Sequence, residues 1–287
     1  MSGKRNVRAP VVAGQFYPGT RESLLRSVES CYEHPLGPGA IPGPSDRPLA
    51  GPVGFVVPHA GYVYSGPIAA HAFAALALMG RPEVAAILGP NHHAVGPYLA
   101  LSPHHSWETP LGELVVDSAL GERLMSRMPR LSPSSPAHNM EHSLEVQLPF
   151  LQHLYGPSLK ILPIVMIDQS VETALELGSA LASALEGRNA VVLASSDFSH
   201  YVPADTAAEL DRYALDAIVA LEPERLGREV EGRRLSICGP GPVMAMLECM
   251  KRLGATEAKV LKYANSGDVS GDRGYVVAYA AVQVALG

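Results

Sequence analysis

The sequence has few cysteines, three in 287 residues, and they form no short-spaced motif. Cys31, Cys238 and Cys249 are widely separated and odd in number, which argues against the disulfide framework of a small secreted protein. Unpaired thiols of this kind are typical of a reducing compartment. We therefore predict a cytoplasmic protein without structural disulfides.

Long apolar runs are also missing. No run approaches the ~18 apolar residues of a membrane span. The N-terminus, MSGKRNVRAP, lacks the apolar stretch of a signal peptide. We expect neither a membrane span nor a secretory leader.

An excess of basic residues is missing as well, since 22 Lys and Arg stand against 28 Asp and Glu, a net charge of -6. Proteins that bind nucleic acid usually carry a basic patch that meets the phosphates. Nucleic acid is therefore not an expected partner. The chain is 47% hydrophobic and 17% charged, which is enough to form a sizeable globular core.

Apolar runs of strand length alternate with helical patterns through nearly the whole chain. This alternation predicts an α/β fold, a single three-layer α/β/α domain spanning residues 1–287. A predicted strand–turn–strand at 107–117 and a last strand at 275–284 indicate that the central sheet is mixed. Residues 35–52, PLGPGAIPGPSDRPLAGP, have too many prolines and glycines for a helix or a central strand. They are predicted to form a surface loop.

Two of the predicted helices matter for the site. One spans 67–79 and is rich in alanine. The other spans 137–151, and within it His142 and Glu145 are three residues apart, so they should share one helix face.

Three predicted apolar strands end in polar motifs: PHAGY with His59, GPNHH with His92 and His93, and SSDFSH with Asp197 and His200. Ligands of α/β sheets collect outside the carboxyl ends of the strands, so we expect these motifs to converge. Each alone has a local explanation, such as a loop hydrogen bond or a helix N-cap. Three such strand ends in one domain are poorly explained by core packing.

Cys238, in ICGPGP, precedes a predicted helix, and a helix N-terminus favours the thiolate. A lone cysteine is otherwise most often a buried apolar side chain. Two histidines with one thiolate or carboxylate are typical of a non-haem iron site with open positions. Two histidines, a cysteine and a water suit a zinc centre equally well. Ser195 and Ser196 lie near suitable partners for a serine hydrolase, but no nucleophile-elbow motif surrounds them.

Eight motifs follow one another along the chain: APVVAGQFYP, PHAGYVYSG, GPNHH, WETPLGEL, EHSLEVQLPF, SSDFSHY, ICGPGP and YANSGDVSGD followed by GYVVAYAAV. In this order they resemble the motifs of the Memo family, whose microbial members are called the Memo-like or B protein of the AmmeMemoRadiSam system. The resemblance runs from about Arg8 to the end of the chain and is weakest in the loop 35–52.

The resemblance implies the fold of the class III extradiol dioxygenases, with a cleft at the strand ends. It implies that His59, His92 and Cys238 bind a metal ion, with the cysteine where the dioxygenases use a glutamate. Asp197 and His200 fall on positions of the same cleft, and His200 matches the acid/base histidine. We expect the substrate cleft to be lined in addition by Tyr17, Tyr62, Asn91, His93 and His142.

The metal implied is iron, with copper or zinc as alternatives. Because a thiolate is softer than a carboxylate, ring-cleaving activity does not follow from the fold. Our leading hypothesis is a metal-binding oxidoreductase linked to a radical-SAM system, with radical-SAM and Amme-type proteins as partners. The alternatives are a non-enzymatic module that binds a peptide or partner protein through the same cleft, and a zinc hydrolase. The small molecule or peptide that binds is left open.

Overall fold

A computed structural model describes residues 6–43 and 46–287, and its centre is a nine-stranded sheet. Residues 1–5 and residues 44 and 45 of the predicted loop lie outside the described part. Within the described part the strands are β1 (Val7–Arg8), β2 (Val53–Val57), β3 (Val84–Pro90), β4 (Leu99–Leu101), β5 (Ser106–Thr109), β6 (Gly112–Val115), β7 (Ser132–Pro133), β8 (Lys160–Met166), β9 (Ala190–Ser195), β10 (His200–Val202), β11 (Ala255–Asn265) and β12 (Val276–Leu286). The helices there are α1 (Arg21–Glu33), α2 (Tyr62–Met79), α3 (Ser118–Met125), α4 (Ser135–Asn139), α5 (Leu148–Tyr155), α6 (Val171–Leu185), α7 (Ala204–Val219), α8 (Pro223–Arg233), α9 (Pro240–Arg252) and α10 (Gly267–Ser270).

The central sheet has the strand order β10, β12, β2, β9, β3, β8, β4, β7, and β11 also pairs with β12. The four middle strands, β2, β9, β3 and β8, are parallel neighbours. By contrast, β12 is antiparallel to β2, and β4 is antiparallel to β8. All residues of β2, β3 and β9 are buried, as expected for strands covered on both faces. The predicted mixed sheet is confirmed.

Helices cover both faces of this sheet. Because successive side chains of a strand point to opposite faces, neighbouring residues of β2 enter two different cores. Val56 packs in one core with residues of α6 and α9, such as Leu177 and Met246. Phe55 packs in the other core with residues of α1 and α2, such as Leu24 and Phe73. These three layers confirm the predicted α/β/α fold class.

The helix α2 begins at Tyr62, five residues before the predicted start at Pro67. Pro67 therefore lies inside the helix, where a proline costs about 3 kcal/mol. Full burial of Ile68 and Phe73 offsets this cost, since each side chain contributes roughly 1.5–3 kcal/mol. By length and composition α2 could cross a membrane, but 61% of it is buried within the described part of the chain. It packs against α1 and β12 as a core helix.

The predicted helix at 137–151 is interrupted, and this prediction was wrong. The helix α4 ends at Asn139, a single 3-10 turn spans Glu145–Gln147, and α5 starts only at Leu148. The buried carboxylate of Glu145 accepts hydrogen bonds from the backbone N–H groups of Val11 and Val12 instead of facing the same way as His142. Local spacing could not reveal these partners, which lie more than 130 residues away in the chain.

Arg8 holds the interrupted segment from the other side. Its guanidinium is buried and pairs with Glu145, and it also donates to the carbonyls of His138 and Glu141 at 2.8 and 2.6 Å. The same guanidinium lies 4.0 Å from the centre of the Trp107 ring. The N-terminal segment therefore fixes the path of residues 138–145, which form one wall of the site described below.

Two segments lie outside the central sheet. The predicted strand–turn–strand is present as β5 and β6, but it pairs with β1 in a separate three-stranded sheet and does not contribute to the mixed one. In the predicted loop 35–52, the described residues form no helix. They are nevertheless anchored to the rest of the chain, because Leu49 is buried in the core and its backbone N–H donates to the Arg81 carbonyl at 3.0 Å.

Replacing Arg8 by Ala should destabilise the fold by about 3–5 kcal/mol, because it leaves the buried Glu145 carboxylate without its cation. Urea unfolding followed by circular dichroism measures the change. The matched control is Arg130→Ala, which removes half-exposed bridges to Asp168 and Glu176 and should cost no more than about 1 kcal/mol. Equal losses in the two variants would contradict this interpretation of Arg8.

Candidate metal centre

The carboxyl ends of β2, β9 and β3 lie side by side, with β9 in the middle. His59, Asp197 and His92 each follow one of these strands by two residues. The ring centres of His59 and His92 are 5.1 Å apart and the rings are nearly perpendicular. The backbone N–H of His59 donates to Asp197 Oδ1 at 2.8 Å. The fold thus brings three of the predicted site residues together.

Cys238 reaches the same point from the loop before α9. Its Sγ lies 3.1 Å from Nε2 of His59. It also accepts the backbone N–H of Asp197 at 3.1 Å, a contact that favours negative charge on sulfur. The thiol therefore sits between one imidazole and the end of the central strand.

The glycines of ICGPGP allow this close approach. A Cβ on Gly239 would lie 2.6 Å from the carbonyl oxygen of Ser195, and a Cβ on Gly241 would lie 2.9 Å from Cα of Gln169. The Gln169 side chain then holds the loop, because it donates to the Cys238 carbonyl at 2.9 Å and accepts the N–H of Gly241 at 3.0 Å. The motif is explained by packing against the ends of two strands.

Three donor atoms, one each from His59, His92 and Cys238, lie within 4.8 Å of one another. Two imidazoles and a thiolate form a donor set that suits iron, copper and zinc. His59 is buried, whereas the His92 side chain is 30% exposed, so the site opens to solvent on the His92 side. The residues present therefore fit the metal ion that the sequence predicted.

His92 is held by Glu141. The backbone N–H of His92 donates to one carboxylate oxygen at 2.7 Å, and Nδ1 lies 2.9 Å from the other. Burial alone would raise the pKa of Glu141, but hydrogen bonds from His92 and from the N–H of Ser143 keep that pKa below its usual range. An ionised Glu141 accepts the Nδ1 proton of His92 and leaves Nε2 as the free ligand nitrogen.

His92, Glu141 and His142 form a second group with ligand-like spacing. The Glu141 oxygens already accept three N–H donors, two from His92 and one from Ser143. A metal ion bound to Glu141 would have to displace these hydrogen bonds. The geometry therefore favours Glu141 as the partner that orients His92, and the first group as the metal centre.

Burial controls the protonation of the inner residues. It lowers the pKa of His59, and the neighbouring charges of His142 and His92 lower it further, so this imidazole is neutral. Burial raises the pKa of Asp197 to about 6, opposed by the N–H of His59. Burial and then the charge of Asp197 raise the pKa of the Cys238 thiol. A metal ion that binds here must therefore release the thiol proton.

His142 and Phe16 flank the candidate ligand residues, and His200 is held by the loop that carries Cys238. The ring of His142 stacks on His92 at 4.6 Å and stands perpendicular to His59 at 5.5 Å. Phe16 packs 4.7 Å from His142, a wall residue that sequence reasoning missed. His200 has Nδ1 2.7 Å from the Ser236 carbonyl, which can only accept, so Nδ1 carries the proton and Nε2 is free.

The other predicted cleft residues make hydrogen bonds to parts of the chain other than the candidate ligands. Tyr17 and Tyr62 are buried behind the wall, where their hydroxyls donate to Glu145 and to the Val146 carbonyl at 2.6 Å each. Asn91 and His93 shape the loop after β3. Asn91 donates to the Val95 carbonyl at 2.8 Å, and His93 Nε2 lies 2.9 Å from the Met140 carbonyl.

Sequence reasoning also missed the residues that orient the ligands. Glu141 lies in EHSLEVQLPF, directly before a predicted cleft histidine, and this neighbourhood was the available signal. Gln169 lies in the segment after β8, the fourth of the parallel strands, and so at the same sheet edge as His59, Asp197 and His92. That position was the only signal from which its role could have been predicted.

The sequence profile described as Memo-like protein matches residues 8–283. The chain belongs to the Memo family. MEMO1 family proteins of Methanopyrus kandleri and Ignicoccus hospitalis are 46% and 47% identical to it over 277 and 282 residues. These alignments cover 96% and 98% of this chain and 98% and 99% of the two relatives. The family predicted from eight motifs is confirmed.

A crystal structure of an uncharacterized protein from Escherichia coli K12 has a similar fold to this Memo-family chain, with a TM-score of 0.58. The likeness covers 82% of this chain and 99% of that protein at 13% sequence identity. At so low an identity it supports the α/β fold and nothing about function.

Replacing Glu141 by Gln should weaken metal binding by roughly 10–100-fold, as loss of the partner of a metal-bound histidine usually does. The change preserves the shape of the side chain but removes the charge that polarises His92. Titration of the metal-free protein with Fe²⁺ or Zn²⁺ measures the dissociation constant. Glu108→Gln, at an exposed position on β5, is the control and should bind as the wild type does. An unchanged constant for Glu141→Gln would refute this role.

Proposed function

We propose that this Memo-family protein binds one metal ion through His59, His92 and Cys238 and acts as an oxidoreductase. The observation that carries the proposal is the set of three donor atoms within 4.8 Å of one another at the carboxyl edge of the sheet. Iron is the metal we expect, with copper or zinc as alternatives, because a thiolate and two imidazoles suit all three.

A bound metal ion would supply redox or Lewis-acid chemistry to a small molecule in the cleft. The protein's own groups would then handle protons. His200 Nε2, free because Nδ1 is held by the Ser236 carbonyl, can accept a proton from the small molecule. Asp197 keeps the His59 backbone and the Cys238 loop in place, and its raised pKa makes it a second group able to exchange a proton near neutral pH.

The proposal includes a cytoplasmic location and a link to a radical-SAM system. All three cysteines are unpaired, which is compatible with a reducing compartment. A thiolate ligand is itself oxidisable, so a reducing compartment would protect the site. Radical-SAM and Amme-type proteins are the partners proposed for the reaction.

Anaerobic titration with Fe²⁺, Cu⁺ and Zn²⁺ tests the ligand assignment. We expect about one metal ion per wild-type chain and, for His92→Ala and Cys238→Ser, a loss of affinity of at least about 10-fold, because each change deletes or hardens one donor. The control is His105→Ala, an exposed histidine of the segment before β5. Equal binding by wild type and His92→Ala would refute the assignment.

Element analysis of protein purified without oxygen separates the redox function from the zinc hydrolase. A redox centre should contain iron or copper and change its absorption spectrum with a reductant. A zinc hydrolase would contain zinc and would be colourless and unresponsive to the same reductant.

A second candidate function, binding of a partner protein at the cleft, is supported by the apolar rim. We define the apolar rim as the exposed large apolar side chains within six residues of a site residue in the sequence, together with Tyr275, whose ring stacks on Tyr201. Exposed apolar side chains that gather in one region are typical of interaction sites. The rim consists of Val63, Tyr64, Val95, Tyr98, Met140, Tyr201 and Tyr275.

Replacing Tyr98 and Met140 together by Ser should lower the affinity for a purified radical-SAM partner by at least about 10-fold, because both side chains are more than half exposed and would be covered on binding. Surface plasmon resonance with and without a chelator measures the effect. The control is Val219→Ser with Val260→Ser, two exposed valines on α7 and β11 that are not part of the rim. If the chelator abolishes binding, a purely metal-independent module is excluded.

A further inference from the structure

Ser195, the last residue of β9, contacts His59 on the side opposite the metal-binding nitrogen. Its Oγ lies 2.9 Å from Nδ1 of His59, and the side chain is fully buried. The proposed function uses the nitrogen Nε2 of His59 and assigns nothing to Ser195.

Three further contacts determine where the single hydroxyl proton of Ser195 points. The Ser143 carbonyl lies 2.7 Å from Oγ and can only accept a hydrogen bond. Gln147 Nε2 lies 3.1 Å from the same Oγ and 2.9 Å from the carbonyl of Pro58. The Pro58 carbonyl also can only accept, so the amide nitrogen of Gln147 faces this cluster and donates to Ser195.

These partners decide the tautomer of His59. The hydroxyl proton of Ser195 is used by the Ser143 carbonyl, the shortest of its contacts. The oxygen of Ser195 is then left to accept, once from Gln147 and once from His59. His59 must therefore carry its proton on Nδ1, and the lone pair of Nε2 points at the sulfur of Cys238, 3.1 Å away.

The same contacts exclude Ser195 as a nucleophile. It has no exposed surface, and its proton is held by a backbone carbonyl and not by the imidazole. A serine activated by histidine donates its proton to that histidine, which is the reverse of the direction found for Ser195 and His59.

The Nδ1–H groups of the two proposed metal-binding histidines consequently have different hydrogen-bond acceptors. His92 donates Nδ1–H to the carboxylate of Glu141, whereas His59 donates to the neutral hydroxyl of Ser195. A carboxylate partner raises the basicity of the imidazole more than a hydroxyl does. The site therefore combines one electron-rich and one ordinary imidazole with the thiolate of Cys238.

We propose that Ser195, oriented by Gln147 and the Ser143 carbonyl, is a positioning residue that sets the Nδ1–H tautomer of His59 and so presents Nε2 to the metal ion. The part concerning the metal rests on the proposed function. The tautomer itself is a property of the metal-free chain and can be measured separately.

The test compares wild type, Ser195→Ala and Ser195→Thr as full-length, metal-free protein. Long-range ¹⁵N–¹H spectra of the histidine rings should show the Nδ1–H form of His59 in the wild type and in Ser195→Thr, which keeps the hydroxyl. Ser195→Ala should shift His59 toward the Nε2–H form, because Nδ1–H loses its acceptor while Nε2–H can face Cys238. Fe²⁺ or Zn²⁺ titration should show about 10–100-fold weaker binding by Ser195→Ala and less than about threefold change for Ser195→Thr.

Ser199→Ala is the matched control, since it removes another fully buried serine hydroxyl, one that donates to Asp211 at 2.7 Å. It should leave both the tautomer and the affinity as in the wild type. A wild-type tautomer in Ser195→Ala, or an equal loss in Ser195→Thr and Ser195→Ala, would overturn the role of Ser195. Absence of metal binding by the wild type would overturn the proposed function, while the ring spectra would still decide the tautomer.

Discussion

The site depends on one constraint, the parallel pairing of β9 between β2 and β3. Parallel neighbours end at the same edge of a sheet, so the residues two positions beyond each strand must meet there. His59, Asp197 and His92 occupy those positions. Because β9 is the central strand of the three, Asp197 at its end contacts two other site residues, the backbone N–H of His59 and the sulfur of Cys238. A slip of one residue in any of the three strands would remove its side chain from the site.

The three candidate ligand residues are held in place without a metal ion, because each is fixed by a hydrogen bond at an atom other than its donor atom. Glu141 receives the Nδ1 proton of His92, and Ser195 receives that of His59. Gln169 holds the carbonyl of Cys238. Side chains placed in this way lose little conformational entropy on binding a metal ion, and an imidazole in the wrong tautomer is avoided. The N-terminal segment acts on the site indirectly, because Arg8 donates a hydrogen bond to the backbone carbonyl of Glu141, the residue that orients His92.

The thiol distinguishes this cleft from a site built on two histidines and a carboxylate. Its loop approaches β9 so closely that Gly239 has no space for a side chain. The sulfur then lies within reach of both His59 and the backbone N–H of Asp197. A thiolate donates more charge to a metal ion than a carboxylate does, so the reaction cannot be inferred from fold alone. Membership of the Memo family therefore does not by itself establish which reaction the site supports.

Several features could be predicted from the sequence because they depend on neighbouring residues. The apolar runs predicted the buried strands, the alternation with helices predicted the three layers, and ordered motifs predicted the family. The strand-end histidines were found for the same reason. Contacts between distant parts of the chain could not be found in this way. Glu145 accepts hydrogen bonds from residues more than 130 positions away, in a segment where a continuous helix was predicted. The hairpin β5–β6 pairs with β1 instead of joining the central sheet. Glu141, Gln169 and Ser195, which hydrogen-bond to the candidate ligand residues, were likewise not predicted in that role. Tertiary packing selects them, because a buried polar group pairs with whichever partner the fold brings within hydrogen-bond distance.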